Sequence, residues 1–384
     1  MLSLRLARGA HALVQLRRLL VAAASGGVGF LLLCTLADAA SRAEPSPEPL
    51  ARLLWCLLPL AATVQFAVAV ARTDPTTRPR PGLSAVGLGP VRLTVIAAVS
   101  TAVSCTLGSS LALLLFLHLR GDLTGLPFDG AAGSLLFAGQ PLPMGAALTL
   151  LALVPVTASA AAAFALRPRG AKREESFELE GSEPRSEAMP AGLPWGIALA
   201  AAGLTLRSYT GPVATVDAGS HAPAGVLAGW ALTVLGLAVA GPGIVYVCGI
   251  AVQSLRPGAV RLLAGRALMA DAVRIGRPLG LLCAVSSAVI AVTVLARGAD
   301  WPRPFGELTG LGATLVLACT VATLLTSALE ARHARALVRS GLRGIGARPS
   351  TLRASALLRM LVLLAVFAPL TLAVAQLATM PLRP

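Results

Sequence analysis

The sequence predicts an all-α, polytopic membrane protein with nine transmembrane helices, and three observations support this fold class. Hydrophobic residues make up 56% of the 384 and charged residues only 13%, whereas about a quarter of an ordinary soluble domain is charged. The apolar residues come in runs of about 20, the length that crosses a bilayer core of about 30 Å. Aromatic residues are only 4%, and the dominance of Ala, Leu, Val and Gly favours helices over strands.

The apolar runs define the predicted spans, of which the fifth is the weakest because glycine and proline interrupt its start. They cover residues 19–40, 53–71, 93–119, 145–166, 188–206, 225–255, 279–296, 310–329 and 354–380. Ala37-Asp38-Ala39 resembles a signal-peptide cleavage site. The first run is longer than the 7–15 apolar residues of such a peptide, so we interpret it as a span.

The basic residues predict the orientation of the chain. With the N-terminus inside, 25 of the 32 Lys and Arg residues fall in segments on the cytoplasmic side and 7 on the outer side. Because basic residues collect in cytoplasmic loops, this distribution predicts a cytoplasmic N-terminus and an outer C-terminus, and it supports the fifth span. It also accounts for the net charge of +15 without nucleic-acid binding. Lys172 is the only lysine; together with the Ala and Gly content, this indicates a high-GC bacterial genome. We expect the protein in the bacterial cytoplasmic membrane.

Several kinds of active site find no support in the sequence. The six cysteines lie in apolar runs without a CxxC pair or a Cys/His cluster, so we predict no metal site, cofactor or disulfide framework. Lys172 is not in a phosphate-binding loop, and the H-E-x-x-H and G-x-S-x-G motifs are absent. The acidic residues and histidines fall in loops or at span ends, which argues against a proton relay. We therefore expect that this chain is not an enzyme.

Hydroxyl side chains concentrate in the third span. Such residues either line a path through the membrane or allow close packing and hydrogen bonding between helices, and packing is the more common role. The residues are Ser100, Thr101, Ser104, Thr106, Ser109 and Ser110.

An internal repeat is the most informative pattern. Residues 82–93 read GLSAVGLGPVRL and residues 341–352 read GLRGIGARPSTL, which share the template G-L-x-x-[VI]-G-x-x-P-x-x-L at an offset of 259. The same offset places Arg18 on Arg277 and lays spans 1–3 over spans 7–9 without a gap. Internal duplication is a common route to transporter folds; recurrence of Gly, Pro and Leu by composition alone is the alternative.

The repeat predicts four segments along the chain. They are a four-span repeat at 1–166, a charged cytoplasmic linker at 167–187, a two-helix insert at 188–255 and a three-span repeat at 256–384. The second repeat has no partner for the fourth span, so we expect it to be truncated. Residues 256–277 are amphipathic, and we expect them to lie on the inner membrane surface as an elbow before span 7.

The second copy of the template lies in a stretch that is rich in arginine. Spacings of three and four place these arginines on one helical face, and Gly344 and Gly346 are expected to end the helix. Such a face either docks on a soluble partner or lies solvated near anionic lipid headgroups. The arginines are Arg332, Arg335, Arg339 and Arg343.

This arrangement resembles the FtsX-like permease family of ABC transporters, particularly its ten-span, two-repeat BceB-like form. Residues 335–347, RALVRSGLRGIGA, followed by Leu352, are similar to the cytoplasmic coupling segment that follows the second helix of each repeat in that family. Residues 78–93 look like a degenerate version in which prolines replace helix formers. The chain departs from the family in having only short outer loops instead of an extracytoplasmic domain, and in lacking the last helix.

The resemblance implies a permease-like subunit that couples a separate ABC ATPase to movement of its own helices through segments 72–92 and 330–353. The implied partners are that ATPase and membrane lipids, with a second copy or a second permease subunit as a source of the absent helix. The alternative is a non-transporting, degenerate permease that acts as a membrane scaffold, sensor or immunity protein. The implied coupling residues are Gly82, Leu83, Val86, Gly87, Pro90, Arg335, Arg339, Gly341, Leu342, Arg343, Ile345, Gly346 and Pro349.

Overall fold

A computed structural model describes residues 12–41, 53, 56–73, 90–122, 130, 132–133, 136, 140–167, 192–213, 222–254, 258–297, 307–344, 346 and 348–379. Within these ranges the regular structure is helical and contains no strand. The helices are α1 (Ala12–Ser41), α2 (Leu57–Thr73), α3 (Pro90–Arg120), α4 (Met144–Leu166), α5 (Gly192–Val213), α6 (Ala222–Ser254), α7 (Ala259–Arg297), α8 (Glu307–Ala334), α9 (Ala336–Gly344) and α10 (Pro349–Thr379).

Seven helices in the described ranges are long and apolar enough to cross a membrane, so the chain is a polytopic α-helical membrane protein. They are α1, α3, α4, α6, α7, α8 and α10. Helix α2 is apolar but has 17 residues, and α5 has 22 residues that include Arg207. The predicted all-α membrane fold is confirmed, while the total of nine spans stays a prediction.

Helix α5 extends further than its apolar run. It continues to Val213 and therefore contains Arg207, which we expected to follow the span. The guanidinium carbon lies 4.5 Å from the ring centroid of Trp230 on α6, and Arg207 is only 7% exposed. A cation stacked on an aromatic face is stabilised electrostatically, which helps the helix to accommodate a charge inside its packed surface.

Helix α7 is longer than expected because the amphipathic segment before the seventh span does not form a separate elbow. One unbroken helix of 39 residues covers Ala259–Arg297, with Pro278 inside it. Ala, Leu, Met and Arg are strong helix formers, and a proline in a helix interior removes one main-chain hydrogen bond. The segment therefore continues into the span as a single rod.

The chain divides into two compact units. The first contains Met1–Ser182 and Phe305–Cys319, and the second contains Glu183–Pro304 and Thr320–Pro384. Helices α1 to α4 belong to the first unit, and α5 to α7, α9 and α10 belong to the second. Helix α8 contributes its beginning to the first unit and its end to the second.

In the first unit, α1 packs closely against α3 through small residues. A Cβ atom added at Gly26 would lie 3.1 Å from the carbonyl oxygen of Gly108, so the two main chains meet without an intervening side chain. Ser25 Oγ donates a hydrogen bond of 2.7 Å to the carbonyl oxygen of Cys105. Small residues and interhelical hydroxyl bonds commonly hold membrane helices together, and here they fix the crossing of α1 and α3.

In the second unit, glycines hold α5 against α6. A Cβ at Gly196 of α5 would overlap Gly236 of α6, and a Cβ at Gly203 would overlap Gly229. The later glycine of α5 meets the earlier glycine of α6, so the two helices are antiparallel. The two glycines of each helix are seven residues apart and therefore lie on one face of that helix, as in other small-residue interfaces between membrane helices.

Helix α6 makes an equally close contact with α7 on another side. A Cβ at Gly276 of α7 would overlap the main chain of Gly241 and Pro242 of α6, and a Cβ at Gly280 would overlap the carbonyl oxygen of Leu237. Helix α10 packs against the same core, where Phe367 is 7% exposed. The second unit is therefore built around α6 and α7.

Candidate functional site

The predicted coupling residues of the second segment lie where α8, α9 and α10 follow one another. Helix α8 ends at Ala334, α9 covers Ala336–Gly344, and α10 begins at Pro349. The end of α9 at Gly344 confirms the prediction that glycine stops this helix. Pro349 occupies the first helical position, where the missing N–H costs no main-chain hydrogen bond. Gly344 thus marks the end of α9, and Pro349 marks the start of α10.

Gly346 forms the turn between α9 and α10. Its φ angle is +92°, and its N–H donates a hydrogen bond of 3.0 Å to the carbonyl oxygen of Arg343. A left-handed glycine just after a helix commonly caps its last carbonyl groups. This residue therefore has a backbone role that a residue with a side chain would perform less well.

We expect Gly346→Ala to destabilise the end of α9 by about 1–2 kcal/mol, because an L-residue is strained in the left-handed region. Amide hydrogen exchange of residues 336–344 in the purified protein should accelerate about 5–30-fold. Gly344→Ala is the matched control, since no described atom lies within 4 Å of its added Cβ and alanine favours helix. Equal acceleration in both variants would contradict a special role for Gly346.

The surface around α9 and the start of α10 is open and basic. No described atom lies within 4 Å of a Cβ placed at Gly341. The chain has no acidic residue after Glu330, so the basic charge of this segment has no acidic neighbour in the sequence that follows. Among the side chains that the structure describes here, the exposed arginines are Arg332, Arg343, Arg348 and Arg353.

Arg335 does not lie on the face of α9 with the other arginines. It occupies the turn between α8 and α9, where its Nε donates a hydrogen bond of 3.0 Å to the carbonyl oxygen of Ala331. Its Nη2 lies 2.8 Å from Oδ2 of Asp271 on α7. One side chain therefore binds the end of α8 and a carboxylate of a neighbouring helix.

Sequence reasoning did not identify Asp271 as a functional candidate. It is 7% exposed and lies inside the long helix α7. One turn further on, Arg274 Nη2 lies 3.9 Å from Oε1 of Glu330 on α8. The available signal was that Asp271 is the sole acid among residues 256–277, since a lone acid among basic and apolar residues often has a specific partner.

The remaining predicted coupling residues are only partly covered by the structure. Gly82, Leu83, Val86, Gly87 and Ile345 lie outside the described residues. Pro90 is the first residue of α3, which parallels Pro349. Arg339 and Leu342 lie on α9, and the structure describes only the backbone of these two residues.

Five of the six hydroxyl residues of the third span fall into two groups in α3, and the sixth, Ser109, is buried. Ser100, Thr101 and Ser104 line a small cavity with Arg18 of α1 and with residues of α2, whereas Thr106 and Ser110 are exposed. The cavity volume is about 20 Å³, which holds about one water molecule. The hydroxyl groups of Ser100, Thr101 and Ser104 donate to carbonyl oxygens within α3, and their packing role stays a prediction.

Arg120, the last residue of α3, contacts the segment that leads into α4. Its Nε lies 3.4 Å from Oδ2 of Asp122, and its side chain is 3% exposed. Its Nη2 donates to the carbonyl oxygen of Gln140. These residues border an open groove of about 440 Å³. The arginine joins the end of α3 to the chain that enters α4, a structural role.

The part of the chain that the structure covers contains no cluster of three or more His, Cys, Asp or Glu side chains that could hold a metal ion. The six cysteines are buried. No protein-family model matches the sequence, and no curated protein or solved structure matches it. Functional inference therefore depends on the residues and contacts of this chain alone.

Proposed function

We propose that this chain is the permease-like membrane subunit of an ABC transporter, and that it works with a separate ATPase. In this proposal the coupling segments are residues 72–92 and 330–353, and the partner docks on the basic surface around α9. Closure of the ATPase would move α9, and the connected helices would transmit this movement through the membrane.

The observation that carries the proposal is a short helix with an exposed arginine, Arg343, between two long apolar helices. Helix α9 has nine residues, too few to cross a bilayer. Arg343 is exposed, and the space next to Gly341 is open among the described atoms. A soluble partner could therefore approach both the side chains and the backbone of α9.

The internal repeat lends further support. Helices α3 and α10 each have 31 residues, and both begin with a proline at the offset of 259. In the first unit α3 packs against α1, and in the second unit α10 packs against α7. The first and third helices of each proposed repeat are thus in contact, as a duplication would require.

We propose that α5 also spans the membrane, which is the bacterial cytoplasmic membrane in this interpretation. Trp195 and Tyr209 are 73% and 79% exposed near opposite ends of α5. They are separated by about 21 Å of helix rise. Trp and Tyr concentrate at the membrane interfaces, and the 22 residues of α5 rise about 33 Å, enough to cross a core of about 30 Å. With α2 included, the count is nine, with the N-terminus cytoplasmic and the C-terminus outside.

The proposal is tested by isolating the protein from its native membranes and identifying co-purifying subunits by mass spectrometry. We expect an ATPase with a phosphate-binding loop to co-purify with the wild type. Arg343→Glu combined with Arg348→Glu should reduce its recovery at least about tenfold, because reversing charges at an interface replaces attraction with repulsion. Arg335 is left unchanged because its pair with Asp271 would confound the result.

A matched control carries Arg266→Glu and Arg277→Glu, which reverse two exposed arginines of α7. This variant has the same net charge as the test variant and should retain the ATPase. Loss from both variants would indicate a general charge effect. Absence of any ATPase from the wild-type preparation would overturn the permease proposal.

A non-transporting membrane scaffold, sensor or immunity protein is the second candidate, and one observation favours it. Only 15 residues separate the end of α1 at Ser41 from the start of α2 at Leu57. The 9 residues between α7 and α8 form an even shorter connection. Neither connection accommodates a folded extracytoplasmic domain. A wild-type preparation without an ATPase would make this candidate the working interpretation.

A further inference from the structure

The two ion pairs between α7 and the end of α8 form a cluster with unequal members. Asp271 and Arg335 are in close contact at 2.8 Å, with side chains that are 10% and 24% exposed. Arg274 and Glu330 are 3.9 Å apart and 43% and 21% exposed. Exposed pairs contribute little to stability, whereas removing one partner of a buried pair leaves a charge without compensation. The Asp271–Arg335 pair is therefore the dominant one.

The position of Arg335 gives this pair a mechanical consequence. Arg335 is the turn residue between α8 and α9, and its N–H also bonds to the carbonyl oxygen of Ala331 at 3.3 Å. Asp271 lies on α7, a rod of 39 residues. The Asp271 carboxylate thus binds Arg335, the residue about which α9 would rotate relative to α8.

We propose that Asp271 and Arg335 form a latch that fixes the α8–α9 junction to α7, so that α9 and α7 move together. Asp271 acts as a positioning residue for α9. The role of the latch in transport rests on the proposed function, in which a force that a partner applies to α9 enters α7 through this pair. The latch itself is a property of the isolated chain.

Amide hydrogen exchange of the purified full-length protein tests the latch without any partner. Asp271→Ala and Arg335→Gln should each accelerate exchange of residues 336–344 about tenfold, because each removes the close ion pair that holds this junction and leaves the other charge without its partner. Asp271→Asn, which preserves side-chain size and one acceptor oxygen, should have a smaller effect. Exchange in α6 serves as the internal reference and should not change.

A charge swap separates a latch from a general packing role. Asp271→Arg combined with Arg335→Asp should restore slow exchange in α9, while either single reversal should not. If the swapped protein does not fold, Arg335→Lys provides the second test, since its ammonium keeps the charge and should retain most of the protection. The control is Glu330→Gln, which breaks only the more exposed pair with Arg274 and should change exchange less than about twofold.

Unchanged exchange of α9 in Asp271→Ala and Arg335→Gln would overturn the latch. Equal acceleration throughout α6 and α9 would also overturn it, since the pair would then only support the fold. The co-purification experiment judges the proposed function separately. A latch detected without a co-purifying ATPase would reject the permease proposal and leave the latch. A co-purifying ATPase with unchanged exchange of α9 in the variants would reject the latch alone.

Discussion

Gly280→Ala is expected to destabilise the second unit by about 2–3 kcal/mol, because its single methyl group would overlap main-chain atoms that cannot rotate away. The added Cβ would collide with the carbonyl oxygen of Leu237, so α6 and α7 would have to separate. The sign of the effect is informative. Alanine normally stabilises a helix interior by about 1 kcal/mol relative to glycine, so destabilisation must come from the lost close approach.

The measurement is the midpoint of thermal unfolding of the detergent-solubilised protein, followed by size-exclusion chromatography. The matched control is Gly310→Ala in α8, where no described atom lies within 4 Å of the added Cβ. We expect the control to unfold at or above the wild-type midpoint. A midpoint for Gly280→Ala that equals the control would mean that α6 and α7 do not meet at this glycine.

Much of the fold could be predicted from local sequence because its signals are local. Apolar runs located the long helices of the described part, and α9 ends at Gly344 as predicted. Prediction failed where a residue that is distant in the sequence determines the local structure. Arg207 ended the apolar run, yet α5 continues through it because Trp230 of the next helix covers its guanidinium.

The candidate site illustrates the same limit. Spacing alone placed Arg335 with Arg339 and Arg343 on one helical face, but the chain turns at Arg335 and its side chain binds Asp271. These two residues are 64 positions apart, so no periodicity links them. The unbroken α7 was missed for a related reason. An amphipathic surface segment and the start of a buried helix share the same 3.6-residue period, and only packing distinguishes them.

Leu364→Arg is expected to prevent stable membrane insertion or folding of α10, because its side chain faces outward at the middle of an apolar helix. Leu364 is 71% exposed and lies on one surface with Leu357, Leu361 and Met360, which are at least 65% exposed. In water, a change on an exposed surface usually alters stability by less than about 0.5 kcal/mol. In hydrocarbon, Arg at the centre of a span costs about 3 kcal/mol.

The yield of folded protein in carbonate-washed membranes, measured through a fluorescent fusion at the cytoplasmic N-terminus, distinguishes these environments. Leu364→Ala controls for the loss of the leucine, and we expect it to accumulate normally. Val91→Arg controls for the introduced charge. Val91 is 63% exposed but is the second residue of α3, from which an arginine can reach the membrane interface along its flexible stem. Normal accumulation of Leu364→Arg would mean that this face of α10 is not in contact with lipid. The outward-facing leucines would then form a solvated or protein-covered surface, and the nine-span arrangement would lose its ninth helix.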